Sequence, residues 1–222
     1  MRLPLVIGGI PIIPIDFSEP PLTIIMRAFS LLGTIPLICL ASLALALIFF
    51  LRRQKTSLIL LGLTVGGGEL IGLLLKWLFA QPRPRWPDPL VVLTSASFPS
   101  GHAMRSVLFF GLLSYFLVPR IGSWPGRLGI LLLGGGLVLM IGVSRIYLEA
   151  HTLSDVLAGY TAGLGWLGSV IIGTTKIKRT RGNHIDSSVE GKYPAAEPAS
   201  AASPAPRSLH QNVGRVMGKP CE

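Results

Sequence analysis

The stretch Ser144-Arg145-Ile146-Tyr147-Leu148-Glu149-Ala150-His151-Thr152-Leu153-Ser154-Asp155 sets an arginine, a histidine and an aspartate between two strongly apolar segments. Charge placed there is costly unless it has a task. If the chain is helical from about His151, then His151 and Asp155 stand at i and i+4 and share a face. A carboxylate so placed holds one imidazole nitrogen and leaves the other as a base or nucleophile. Arg145 presents a planar fork of donors suited to a phosphate-like oxyanion. The plain alternative is a short polar loop with a helix-facing His–Asp pair. The stretch alone does not choose between the two.

Working outward, the flanking segments read as membrane helices, about Leu128 to Tyr147 before it and Ser154 to Thr174 after it. Three more spans precede them. The first is about Ala28 to Leu51, stopped by Arg52, Arg53 and Lys55. The second is about Leu58 to Ala80 and contains Gly66-Gly67-Gly68, Glu69 and Lys76. The third is about His102 to Val118, ended by Pro119-Arg120. Between the second and third, Gln81-Pro82-Arg83-Pro84-Arg85-Trp86-Pro87 breaks the helix, because proline cannot continue the hydrogen-bond ladder. A bilayer needs about 20 apolar residues per helix. The expected fold is therefore all-α: a polytopic transmembrane bundle of five spans, with a possible sixth, partial one at the N-terminus. Residues 3–15 are apolar but too short to cross, and they hold Pro4, Pro11 and Pro14. They lack a small-residue cleavage site and read poorly as a signal peptide. Residues 1–29 are thus expected to be an interfacial segment, or the remainder of a span that begins outside this sequence.

The chain carries a net charge of +10, yet only 14% of its 222 residues are charged. The cations fall in short clusters between apolar runs, which fits membrane topology and not a nucleic-acid-binding face. Arg52/Arg53/Lys55, Arg120/Arg127 and Lys176/Lys178/Arg179/Arg181 alternate so that all lie on one side. By the positive-inside rule that side is the cytoplasm. The 81–101 loop and the 147–153 turn then share the opposite, extracytoplasmic face. Residues 176–222, basic and then rich in Ala, Pro and Ser, read as a disordered cytoplasmic tail. Cys39 and Cys221 sit at different expected depths, so no disulfide is expected.

The two connections on the outer face hold the remaining unusual polar residues. Lys76 and Arg83 stand about two helical turns apart, followed by Pro84. On their own they read as two interface cations. In Ser97-Phe98-Pro99-Ser100-Gly101-His102, Gly101 lets backbone approach a ligand. Ser100 can cap the next helix and also donate to an anion held by that helix's first N–H groups. His102 can pass a proton there. Alone, this reads as a serine N-cap with a surface histidine. Together the three stretches place His102, His151 and three cations, Lys76, Arg83 and Arg145, on one face. Such a set is an oxyanion cage with a nucleophile and an acid. Asp155 suits an orienting role, and no carboxylate cluster offers a Mg²⁺ or Ca²⁺ site. The chemistry expected is metal-free phosphoryl transfer with cations spreading the developing charge.

Lys76-x6-Arg83-Pro84, Pro99-Ser100-Gly101-His102 and Ser144-Arg145-x5-His151-x3-Asp155 resemble the three signature motifs of the type-2 phosphatidic acid phosphatase superfamily, which includes the soluble vanadium haloperoxidases. Every signature position is matched, in order, over residues 76–155. The resemblance implies a helical phosphatase whose catalytic domain is residues 30–175, with no cofactor and no metal. It implies that His151 attacks phosphorus, Asp155 orients it and His102 protonates the leaving oxygen. Lys76, Arg83, Ser100, Gly101 and Arg145 would bind the phosphoryl group. Membrane members typically have six spans, so the N-terminal residues are the point of departure; the core chemistry is expected not to depend on them. Glu69 is read as a protonated or paired structural acid, and Gly159-x3-Gly163 as a close-packing pair.

The activity expected is hydrolysis of a membrane lipid phosphate or diphosphate of the undecaprenyl diphosphate, phosphatidylglycerol phosphate or phosphatidic acid type. The alternatives are a vanadate-binding haloperoxidase, which membrane spans disfavour, and a non-catalytic lipid phosphate binder or transporter. Transporters usually show paired repeats, and none is visible here.

Overall fold

The computed structural model describes residues 5–7, 10–12, 20–81 and 97–190, with side chains over 20–81 and 97–176. The chain divides into two compact units, Met1–Thr180 and Arg181–Glu222. Apart from a short antiparallel pair, β1 (Leu5–Ile7) with β2 (Ile10–Ile12), every described element is helical. The helices are α1 (Pro21–Leu32), α2 (Ile35–Leu51), α3 (Lys55–Phe79), α4 (Gly101–Arg120), α5 (Trp124–Tyr147) and α6 (Leu153–Glu190).

Helices α3, α4, α5 and α6 are each long and apolar enough to cross a bilayer, and α1 and α2, which meet at a bend of 49°, reach that length and apolarity only when taken together. The protein is thus a multi-pass helical membrane bundle. The break differs from the single first span expected over 28–51. Its cause is local: Pro36 lacks an N–H and is accommodated only in the first turn of a new helix. Thr34 is the extended residue before that helix, and its hydroxyl donates to the Leu31 carbonyl at 2.7 Å, covering the end of α1. At the other end of the chain, α6 outruns its expected end near Thr174 and stays helical to Glu190. No proline interrupts 175–190, and the ladder continues through Gly182-Asn183. The first part of the tail expected to be disordered over 176–222 is thus helical, as far as Glu190; residues 191–222, with Cys221, lie outside the described residues.

Many large apolar side chains point outward, among them Leu43, Phe50, Leu70, Trp77 and Leu132. Such a belt would be unstable in water and is the ordinary surface of a helix in lipid. Inside, Phe49, Leu61, Leu108, Leu112, Phe116 and Leu167 form one core. The Phe49 and Phe116 rings meet edge to face at 4.9 Å. Both α3 and α4 carry a π-helical turn, Gly62–Gly66 and Val107–Gly111. Trp166 of α6 donates its indole N–H to the Leu63 carbonyl inside the first of these, at 3.1 Å. Gly67 leaves room for that indole, since a Cβ there would fall 2.6 Å from the Trp166 ring.

Helix alternation decides where the polar residues meet. Lys76 is near the end of α3, Gly101 begins α4, Arg145 is near the end of α5, and Asp155 is in the first turn of α6. Antiparallel neighbours bring these termini to one end of the bundle.

Candidate active site

The α5–α6 turn folds back on Arg145. Its carbonyl accepts the N–H groups of Ala150 at 3.0 Å and His151 at 3.3 Å, with Glu149 at a left-handed φ of 54° between them. The Arg145 side chain is 1% exposed. Its Nη1 donates to Ser30 Oγ of α1 at 2.5 Å. A buried guanidinium needs such partners to be tolerated.

His151 lies just before α6 and not within it, because the helix begins at Leu153. The expected i, i+4 pair is therefore held by a turn. The Thr152 N–H donates to Asp155 Oδ2 at 3.1 Å, and the Asp155 N–H donates to Thr152 Oγ1 at 3.3 Å. These are the reciprocal bonds of a capping box, with aspartate in the position usually held by glutamate. The turn leaves His151 Nδ1 3.4 Å from Asp155 Oδ2. That contact is longer than a well-formed hydrogen bond. The carboxylate is fixed from the other side by Ser97, whose hydroxyl donates to Oδ2 at 2.6 Å. Asp155 and His151 are both buried.

The loop before α4 locks onto α6. The Ser100 N–H donates to the Asp155 carbonyl at 2.9 Å. Gly159 permits this approach, since a Cβ there would lie 2.6 Å from the Ser100 carbonyl oxygen. Gly163, one turn on, meets Met104 and Val107 in the same way, as a close-packing pair requires. Ser100 occupies the N-cap position, but its side chain makes no capping bond, contrary to the expected cap. Its Oγ is buried with no hydrogen-bond partner among the described residues. A buried orphan hydroxyl beside the first N–H groups of a helix suits an anion. His102 follows, partly buried, and Arg145, Arg105, His151 and Lys76 all lie within electrostatic reach of it.

The structure thus brings together Lys76, Ser100, Gly101, His102, Arg145, His151 and Asp155. Arg83 lies outside the described residues. Four further residues border the site. Ser97 and Ser30 are ordinary serines in sequence and carry no signal. Arg105 and Glu69 do carry one, as charges inside apolar spans. Arg105 Nε donates to Glu69 Oε1 at 2.6 Å, so Glu69 is a paired acid. The N-terminal residues do not stand apart from this end of the bundle. Thr23 Oγ1 is within hydrogen-bond distance of Tyr147 Oη, and Gly33 packs against His102.

Residues 57–179 match the family described as PAP2 superfamily. The chain belongs to that superfamily. The PAP2 assignment agrees with Phosphatidylglycerophosphatase B of Bacillus subtilis (strain 168), to which the chain is 33% identical over 168 residues, 73% of this chain and 80% of that one. Glucose-6-phosphatase catalytic subunit 1 of Haplochromis nubilus is 29% identical over 141 residues, covering 52% of this chain and 40% of that protein. The crystal structure of a transmembrane PAP2 type phosphatidylglycerolphosphate phosphatase from Bacillus subtilis superposes with a TM-score of 0.65 at 30% identity, covering 73% of this chain and 81% of that one. This PAP2 protein is accordingly a membrane phosphatase, a hydrolase of the lipid phosphatase family.

Proposed function

We infer that the protein dephosphorylates a membrane lipid phosphate through a phosphohistidine on His151, without a metal ion. The observation that carries the reading is the convergence of the His151–Asp155 pair, His102 and the cations Lys76 and Arg145 on one end of the bundle. With Nδ1 toward the carboxylate, Nε2 is the attacking nitrogen. It forms a bond to phosphorus as the bond from phosphorus to the lipid oxygen breaks, and His102 gives that oxygen its proton. Water then attacks the phosphohistidine, His102 takes the water's proton, and inorganic phosphate leaves. Lys76, Arg145, Ser100 Oγ and the N–H groups at Gly101 stabilise the charge on the transferring group, with Arg83 as a further cation. Side-chain cations supply the charge that a metal would otherwise bring.

A lipid is favoured over a soluble phosphate ester by an apolar groove of about 660 Å³ between α4, α5 and α6. Val107 and Tyr160 line it, one to two turns deeper than His102 and Asp155 on the same helices. An acyl chain would suit it. Among lipids, phosphatidylglycerol phosphate is favoured by the similarity in sequence and in structure to the Bacillus subtilis phosphatidylglycerophosphatase, and a phosphatidic acid or an undecaprenyl diphosphate has the same reacting group. The purified protein is expected to release phosphate from such lipids and not from glucose 6-phosphate, to keep its activity in EDTA, and to be inhibited by orthovanadate. Vanadate becomes five-coordinate and resembles the transition state. Loss of activity in EDTA restored by Mg²⁺ would overturn the metal-free mechanism, and binding of lipid phosphates without any release would make the protein a binder.

The site is assigned to the extracytoplasmic face of the cell membrane, and the tail to the cytoplasm. The basis is the placement of Arg52, Arg53, Arg120 and Arg127 at the helix ends opposite the site. Single cysteines at Asp88 and Ser203, in a Cys39→Ser/Cys221→Ser background, are expected to differ: the first labelled in intact cells by an impermeant reagent, the second not. The reverse pattern would invert the assignment.

A further inference from the structure

Glu69 and Arg105 form an ion pair that the mechanism above does not use. Besides its bond to Glu69, Arg105 points Nη1 at the Gly33 carbonyl, 3.4 Å away. The arginine side chain is 13% exposed, and both residues sit inside helices of membrane-spanning length. A withdrawn pair of this kind is weak evidence for stability, because apolar replacement of buried pairs is often neutral or favourable. Ionisable groups inside spans are kept where they serve a site.

The placement of the pair shows what it could serve. Arg105 is one turn after His102 on α4, and its guanidinium covers Gly101, where a Cβ would fall 2.9 Å from Nη2. Glu69 is two turns before Lys76 and on the same side of α3. Gly33 ends α1, the helix that supports Arg145 through Ser30. Arg105 therefore spans the three elements that carry or support Lys76, the Ser100–His102 turn and Arg145. The cavity bordered by Glu69, Lys76, Gly101 and Arg105 is about 30 Å³, room for a water molecule and not for a lipid head group. A guanidinium can reach two acceptors at fixed angles, which an ammonium cannot.

We propose that Arg105, held by Glu69 and the Gly33 carbonyl, is a positioning residue that sets the spacing of Lys76 and the Ser100–Gly101–His102 turn around the phosphoryl group. The proposal rests on the phosphatase reading. Its test compares wild type, Arg105→Lys, Arg105→Gln, Glu69→Gln and the Glu69→Gln/Arg105→Gln double variant in detergent. Two readouts are needed: kcat and KM for phosphate release from a lipid, and the rise in unfolding temperature caused by orthovanadate. Arg105→Gln is expected to lower kcat/KM about 100-fold, as a misplacement of about 1 Å would. The vanadate shift should shrink with it, Arg105→Lys should recover part of both, and the double variant should be no worse than the poorer single one. Variants that melt earlier yet keep kcat/KM and the vanadate shift would reduce the pair to a structural staple and overturn the proposal. So would single losses that multiply in the double variant. If Arg105→Gln does not fold, Arg105→Lys and Glu69→Gln decide on the same readouts. A wild type that binds vanadate but releases no phosphate counts against the phosphatase reading, while the vanadate shift across the variants still decides the positioning role.

Discussion

His151→Ala is expected to be inactive on every substrate, whereas His102→Ala should lose activity only where the leaving group is poor. A nucleophile cannot be replaced by its surroundings, since without the imidazole no phosphohistidine forms. A general acid contributes in proportion to the basicity of the oxygen it protonates, and typically accounts for about 10²–10⁴-fold. On a lipid phosphate, whose alkoxide leaves badly, His102→Ala should lose that full factor. On an aryl phosphate with an acidic phenol it should recover most of it. The geometry separates the two histidines: His151 Nδ1 lies 3.4 Å from the Asp155 carboxylate, while His102 stands at a helix start among cations. Asp155→Asn should fall between them, keeping a partner for the imidazole but losing the charge that favours the right tautomer. Its amide would also weaken the capping box with Thr152 and the bond from Ser97. Steady-state rates on both substrates for the three variants decide the matter. Recovery of His151→Ala on the aryl phosphate, with none for His102→Ala, would reverse the assignment.

The second large effect is expected from a single methyl group. Gly159→Ala puts a Cβ 2.6 Å from the Ser100 carbonyl oxygen and 3.0 Å from Ala103 Cβ. Backbone on the far side cannot rotate away, so α4 and α6 must separate. Overpacking of this sort costs about 1–3 kcal/mol. The larger consequence is catalytic, because the same crossing sets Ser100 and His102 against Asp155. A displacement of about 1 Å there is worth about 100-fold in rate. Gly165→Ala on the same helix is the control, since a Cβ at that position meets nothing within 4 Å. That variant should keep full activity and gain slightly in stability from the better helix former. Equal activity for the two alanine variants would show that the close crossing is not needed for the site.

Much of this protein was legible along the chain. Apolar runs of about 20 residues between basic clusters can be satisfied only by membrane helices, because lipid offers the backbone no other partners. The run of Lys76, Ser100, Gly101, His102, Arg145, His151 and Asp155 is readable for the same reason: charge and histidine are rare inside such helices. Span parity alone then carries the motifs to one end of the bundle.

What the tertiary structure decided are the contacts between residues far apart in sequence. Pro36 turned one expected span into two bent helices, and that bend is what brings Ser30 to Arg145 and Gly33 to His102. A serine carries no periodicity or charge that would announce such a role. Ser97 is equally silent until the loop before α4 lies against α6 and its hydroxyl reaches Asp155. The His151–Asp155 pair was visible as a spacing, but it was expected on a helix and is in fact held by the Thr152 capping turn, whose geometry depends on where α6 starts. Glu69 was legible as a charge out of place, whereas Arg105 was not singled out; that the two answer one another is a fact of helix packing. Local sequence determines which helices form and which residues are costly to bury, while the pairing that makes those residues tolerable depends on the crossing of α1, α3, α4 and α6, which no single segment encodes.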